Sequence, residues 1–153
     1  MTSLIVFDSY TGNTKLIAYT LSDSLSEFGK VIIKKTDEES IIDTKAADIL
    51  VIGSPTERRK PTFMIQQFLS DLKSKNITDL SFAAFDTRLN SAEWKTGSAA
   101  NWITKRLKKM NYNLLLSPES FLINPEDRNL VEYESRRASN WGKTIGELYG
   151  RKV

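Results

Sequence analysis

Five short apolar runs, each closed by a polar or glycine-bearing turn, alternate along this chain with longer stretches whose apolar positions recur every three to four residues. Leu4–Asp8, Val31–Lys34, Asp48–Gly53, Ser81–Asp86 and Leu114–Leu116 read as strands. They are short, and they are continuous rather than alternating, as expected of parallel strands covered on both faces. Asn13–Phe28 places Ile17, Leu21, Leu25 and Phe28 on one helical stripe, and Gly29 stops it. Pro61-Thr62 opens a second helix that directs Phe63, Met64, Phe68, Leu69 and Leu72 to the core. Ser98–Met110 buries Ala99, Trp102, Ile103 and Leu107 in a third, and a last helix over about Glu132–Tyr149 carries Ala138, Trp141, Ile145 and Leu148 on one face. Three segments lack a regular pattern. They are the acidic connection 37–45, with room for a turn of helix, the polar loop Thr87–Gly97, and Ser117–Asn129, which holds one more apolar piece, Phe121-Leu122-Ile123.

Strands alternating with helices from end to end predict an α/β fold, a doubly wound, mostly parallel sheet with right-handed crossovers. Residues 1–153 read as one domain, without repeat, linker or low-complexity segment. In such sheets ligands sit beyond the carboxyl ends of the strands. The loops at those ends begin at Ser9, Ser54, Thr87 and Ser117, so their composition should name the ligand.

Composition narrows the chemistry. The chain has no histidine and no cysteine, which excludes disulfides, cysteine-ligated clusters, zinc sites of the Cys/His type and hydrolysis with a histidine base. Any redox chemistry must come from a bound organic cofactor. No apolar stretch approaches the roughly 20 residues of a membrane span. Met1-Thr2-Ser3 leads directly into the first strand, so no leader peptide and a cytoplasmic location are expected. The net charge is +3, with a pI near 9.1. The densest positive run, Lys105-Arg106-Leu107-Lys108-Lys109, reads as the solvated face and last turn of a helix. No stacking-aromatic motif accompanies it, so nucleic acid is not an expected partner.

The first loop carries the most chemistry. Ser9-Tyr10-Thr11-Gly12-Asn13-Thr14 joins a strand to a helix, where the first backbone N–H groups lack intrahelical partners and the dipole favours an anion. Gly12 allows close backbone approach, and Ser9, Thr11, Asn13 and Thr14 add side-chain donors. The loop has no lysine, so it is not the GxxxxGK[ST] grip on a triphosphate. Neutral donors suit a phosphate monoester. The second loop, from Gly53-Ser54-Pro55-Thr56-Glu57 through Arg58-Arg59-Lys60, is stiffened by prolines and crowded by cations.

Together with the Gly97-Ser98-Ala99 opening of the third helix, these pieces resemble the flavodoxins over essentially the whole length of the chain. The [ST]-x-T-G-N-T loop is Ser9–Thr14 and the G-S-P-T turn is Gly53–Thr56. The resemblance implies a five-stranded sheet of order 2-1-3-4-5, with FMN at its switch point. It implies that Ser9, Thr11, Gly12, Asn13 and Thr14 bind the FMN phosphate. Ser54, Pro55, Thr56 and Glu57 then border one side of the isoalloxazine, and Asp86, Thr87, Arg88 and Leu89 the other. Where flavodoxins commonly stack aromatics, this chain has Glu57 and Leu89. Trp94 is the aromatic left in the third loop, placed either against the flavin or against the body of the domain.

The function implied is a soluble FMN-binding electron carrier between redox partner proteins. Two alternatives accompany it, a small FMN-dependent NAD(P)H:quinone-type oxidoreductase and a cofactor-free binding module of the same fold. A response-regulator receiver would need an aspartate after the third strand, where this chain has Gly53-Ser54. Arg58, Arg59, Lys60 and Arg88 are either solvated loop charges or cations near the flavin. In the second case they would make its potential less negative than an acidic surround does, and could guide an anionic partner.

Overall fold

A computed structural model of the chain describes residues 1–38 and 42–152. The strands are β1 (Thr2–Phe7), β2 (Lys30–Lys35), β3 (Ile49–Pro55), β4 (Ser81–Leu89), β5 (Asn113–Leu114) and β6 (Glu119–Ile123). The helices are α1 (Asn13–Ser26), α2 (Phe63–Ser74), the single turn α3 (Glu93–Thr96), α4 (Ala99–Lys109) and α5 (Glu134–Lys152). All pairings in the sheet are parallel, in the order β2-β1-β3-β4-β5, with β6 also paired to β4. The fold is the expected flavodoxin-like α/β arrangement, with strand order 2-1-3-4-5.

Alternate residues of each central strand face opposite layers, because strand side chains have a period of two. Leu4, Val6, Leu50, Ile52, Phe82 and Ala84 pack with Ile65, Phe68, Leu69 and Leu72 of α2 and with Ala100, Ile103 and Leu107 of α4. Ile5, Phe7, Ile49, Val51, Ala83 and Phe85 pack with Ile17, Ala18, Leu21 and Leu25 of α1 and with Ala138, Trp141 and Ile145 of α5. The second layer is closed by Phe85, Phe121 and Trp141, which meet edge to face with centroids 6.1–6.3 Å apart. Such pairs add roughly 0.5–1.5 kcal/mol each beyond burial.

The structure corrects the sequence reading in several places. The fifth strand position is divided. β4 pairs Phe82 with Leu114 but Phe85 with Glu119, so the edge carries two more residues than its partner between the two ladders. Leu115 still donates its N–H to Phe82 O at 2.9 Å, but the paired register stops at Leu114, and Leu115 and Leu116 pack half-buried against the second core layer. The apolar run 114–116 thus reflects burial more than pairing, and the piece 121–123 is the longer part of the edge. β4 runs on to Leu89, and the loop after it contains α3.

Phe63 is 72% exposed and Met64 38%. The Thr62 hydroxyl caps α2 by accepting from Ile65 N, which puts Ile65, Phe68, Leu69 and Leu72 on the buried stripe and turns the first two residues outward. Trp102 and Leu148 are only half-buried. The last helix begins at Glu134. In the connection 37–45, Asp37 and Lys45 lie in turns and 38 and 42–44 have no regular structure, while 39–41 lie outside the described residues. Among the described residues, no helix is long and apolar enough to cross a membrane.

Candidate functional site

The loops after β1, β3, β4 and β6 meet at one end of the sheet around a cleft of about 400 Å³. The first loop enters α1 through Gly12, whose φ of 98° lies in the left-handed region and is readily adopted by glycine. A Cβ at Gly12 would meet nothing within 4 Å, so the backbone there faces open space. Ser9 holds the loop's shape. Its buried hydroxyl oxygen accepts from Gly12 N at 3.2 Å and from Lys15 N at 3.3 Å. The Asp8 carboxylate accepts from Ser9 N at 2.8 Å and from the Thr62 hydroxyl at 2.6 Å, tying this loop to the start of α2.

Two expected phosphate donors have structural partners. Asn13 Nδ2 donates to Arg128 O at 2.8 Å, anchoring the loop after β6, and Thr14 Oγ1 shares a 2.7 Å hydrogen bond with Thr87 Oγ1. Of the first amides of α1, Lys15 N is taken by Ser9 Oγ, and those of Asn13 and Thr14 have no acceptor within the helix. With the Thr11 hydroxyl, which is exposed, they form the anion-facing end of the site.

The second loop is built around Ser54. Its hydroxyl accepts from Thr62 N at 3.0 Å and donates to Pro55 O at 2.9 Å, fully buried beneath the cleft. Pro55, Thr56 and Glu57 line the cleft itself. Thr56 N donates to Thr87 O at 2.8 Å and Thr56 Oγ1 accepts from Ala99 N at 2.9 Å, so the two sides are joined below. Glu57 and Lys60 exchange backbone hydrogen bonds of 2.8 and 3.0 Å, making a two-residue turn with Arg58 and Arg59 at its tip.

Thr87, Arg88 and Leu89 line the opposite wall. Asp86 lies beneath them, fully buried, and accepts from Ser98 Oγ at 2.6 Å and Ala100 N at 2.9 Å. Burial pushes its carboxyl above the usual range. The hydrogen bonds from Ser98, Ala100 and Ser120 and the charge of Arg88 oppose this without cancelling it. Asp86 therefore supports the N-terminus of α4 rather than meeting the cleft. Arg88 Nη1 donates to Ser91 O at 2.8 Å and to Thr96 Oγ1 at 3.3 Å.

Trp94 is separate from these. It is 74% exposed and lines a neighbouring groove. Three residues not singled out in the sequence do line the cleft: Tyr10, Ile123 and Arg128. Tyr10 lay inside the motif and was visible as its one aromatic. Its phenol faces Glu57, and partial burial followed by the negative charges of Glu57 and Asp8 raises its pKa. Ile123 ends the divided strand and Arg128 follows it, and no local pattern signals their place.

The arrangement is an anion-facing helix start opening into a slot with apolar surfaces at Pro55, Leu89 and Ile123 and polar ones at Thr56, Glu57, Thr87 and Arg88. Residues 4–114, which include the first three of these loops, match the flavodoxin domain family. The chain belongs to that family. A flavodoxin of Aquifex aeolicus (strain VF5) is 25% identical over 115 residues, 74% of this chain and 62% of the relative, so the chain spans about three-fifths of that protein's length. Flavodoxin 2 of Bacillus cereus superposes with a TM-score of 0.78 at 25% identity, over 96% of this chain and 99% of that one. The flavodiiron protein of Giardia intestinalis gives 0.82 at 18% identity, over 98% of this chain but 36% of its own, and shares the fold as part of a longer polypeptide. In this flavodoxin domain the matched residues thus include the loops that leave β1, β3 and β4, and Tyr10 lines the slot.

Proposed function

We propose that this flavodoxin domain binds FMN in the cleft and carries electrons between redox proteins. The observation that carries the reading is the start of α1. There, the Asn13 and Thr14 amides, which have no acceptor within the helix, and the exposed Thr11 hydroxyl lie at one end of a 400 Å³ cleft with apolar walls. The donor set fits a phosphate monoester, and the cleft volume lies within the usual range for a small-molecule site. Thr11, Gly12 and the first turn of α1 would hold the phosphate. Tyr10, Pro55, Leu89 and Ile123 would cover the ring, and Thr56, Glu57, Thr87 and Arg88 would meet its polar edges. When bound, FMN supplies one- and two-electron transfer.

The chain's own task is to hold the ring, exclude water from most of it and set the charge around it. Ser9, Ser54 and Asp86 do this indirectly, by fixing the loops. No side chain here is required as acid or base. The experiment is a visible spectrum of the purified protein followed by titration with FMN and riboflavin. Yellow protein, or FMN bound at least tenfold more tightly than riboflavin, is the expected result, because a cradled phosphate contributes more than about 1.4 kcal/mol. Equal affinity for the two would overturn the phosphate assignment. Rapid steady-state oxidation of NAD(P)H with a quinone would favour the oxidoreductase over the carrier.

A further inference from the structure

The loops that wall the cleft also build a second concavity on their far side. Arg58 and Arg59 have φ of 48° and 71°, a left-handed turn that asparagine and glycine adopt far more readily. Side chains held in such backbone are strained and persist only where their surroundings fix them. Here Arg59 is fixed by the third loop. Its Nη1 donates to the carbonyls of Trp94 at 2.9 Å and Lys95 at 3.2 Å, and its backbone pairs with Gly97. A Cβ on Gly97 would lie 2.6 Å from Arg59 Cα, so the two loops touch backbone to backbone. The result is a rigid mount from which Trp94 projects.

Between Trp94 and the half-buried Trp102 lies a groove of about 450 Å³, floored by Gly97 and Ser98 and flanked by Arg59 and Lys105. Lys95 Nζ stands 5.2 Å above the Trp94 ring and the Arg106 guanidinium 4.5 Å from the Trp102 ring. Arg58 and Lys60 are exposed on the adjoining turn. Among the described residues, the one carboxylate lining the groove, Glu93, is hydrogen-bonded to Asn101 Nδ2. Groove and cleft share their walls. The turn that contributes Arg59 to the groove contributes Glu57 to the cleft, and Arg88 of the cleft is bonded to Thr96 of α3.

We propose that this groove docks a redox partner protein through an acidic surface segment, seated between Trp94 and Trp102 and against Lys95, Lys105 and Arg58. The partner's being a redox protein rests on the electron-carrier reading, while its acidity rests on the groove alone. Exposed tryptophans are effective interface anchors, and the surrounding cations steer an anionic surface toward them at a rate that falls with salt. A segment seated there rests on the far side of the loops that wall the cleft. The groove is an open depression lined by Arg59, by α3 and by the first turns of α4, of a size suited to one protruding segment rather than to a nucleic-acid strand that must be tracked along its backbone.

The test uses the isotope-labelled full chain, with and without FMN, and follows its three tryptophan indole signals. The probes are cytochrome c, which is cationic, and fully succinylated cytochrome c, which presents the same fold with anionic charge. The expected result is that the succinylated protein shifts Trp94 and Trp102, leaves the core residue Trp141 unmoved, and loses affinity with added salt. Native cytochrome c shifts none of them. Trp94→Ala and the double variant Lys95→Gln/Lys105→Gln each weaken binding about tenfold, as expected for an interface anchor and for a lost pair of steering charges. Trp94 is exposed, so its loss does not threaten the fold. Equal binding of both cytochromes overturns the proposal, as does a shift pattern that spares Trp94. Tighter binding of a short oligothymidylate at the same two signals also overturns it, in favour of nucleic acid. Because binding is read without flavin, failure to bind FMN would defeat the carrier reading while leaving this result separately visible.

Discussion

At the scale of single residues, the cleft depends on side chains with distinct tasks. Tyr10 offers the slot its aromatic surface, and an aromatic contact contributes roughly 0.5–1.5 kcal/mol beyond area burial. Tyr10→Ala should therefore weaken FMN binding about tenfold while Tyr10→Phe stays near wild type, as read by flavin fluorescence titration. Arg88 lines the slot with a positive charge. A cation about 6 Å away at an effective dielectric near 20 interacts by roughly 3 kcal/mol, on the order of 0.1 V for one electron. Arg88→Gln should lower the midpoint potential of bound FMN by up to that amount, and an unmoved potential in spectroelectrochemical titration would refute the charge argument. Asp86 is legible as a strand-end acid, but its burial beneath α4 is not. Its raised pKa means the folded state keeps a proton that the unfolded chain releases above about pH 4. Stability should then fall as pH rises from about 4 through the folded pKa. Asp86→Asn keeps an acceptor for Ser98 and Ala100 and removes that loss, so its urea midpoint relative to wild type should rise between pH 4 and 7. The Ser9–Thr14 loop was legible because four of its residues have turn and donor chemistry around a glycine. That Asn13 and Thr14 serve Arg128 and Thr87 was not, since both partners are distant in sequence.

At the scale of elements, the central strands were readable because burial on both faces leaves continuous apolar runs. The edge was not. Glu119–Ile123 is half-polar and its pairing with β4 begins only after a two-residue excursion. What fixes it is a clamp from α5. The Glu134 carboxylate, itself buried, accepts from Leu122 N at 2.7 Å, and Arg137 reaches Glu134, Glu119 and the Ser120 carbonyl. This occupies an outward amide of the edge strand, which would otherwise be open to pairing. Burial alone would raise the Glu134 pKa, but the hydrogen bonds from Arg137 and Leu122 and the charge of Arg137 outweigh it and hold it below the ordinary range. Arg137 is partly exposed. Solvent screening therefore places the cost of Arg137→Met at roughly 2 kcal/mol rather than the full cost of breaking a buried pair. The contribution is complete above about pH 4.3 and is lost as pH falls through the folded pKa. The difference between wild type and variant in urea denaturation should thus be large at pH 7 and shrink on acidification.

At the scale of the whole molecule, two core layers hold the sheet while the cleft end is made of loops joined by polar contacts. The Asp8–Thr62, Thr14–Thr87, Thr56–Ala99 and Asn13–Arg128 hydrogen bonds each link a different pair of segments across that end. A ligand that bridges the same loops should therefore stabilise the entire fold, not only its site. For a ligand bound only by the native state, the gain is RT ln(1 + [L]/Kd), or about 2.7 kcal/mol at a hundredfold excess over Kd. For a domain of this size each kcal/mol moves the melting temperature by roughly 2–4 °C. FMN at a hundredfold excess should thus raise the melting temperature by roughly 5–10 °C, and riboflavin at the same concentration by clearly less, because it lacks the group the start of α1 would hold. The same comparison in a Gly12→Ala variant separates phosphate from ring. Alanine is strained at φ 98°, so the variant should lose most of the FMN-specific increment and respond to both ligands alike. An undiminished preference for FMN in that variant, measured by thermal unfolding, would place the phosphate somewhere other than this loop.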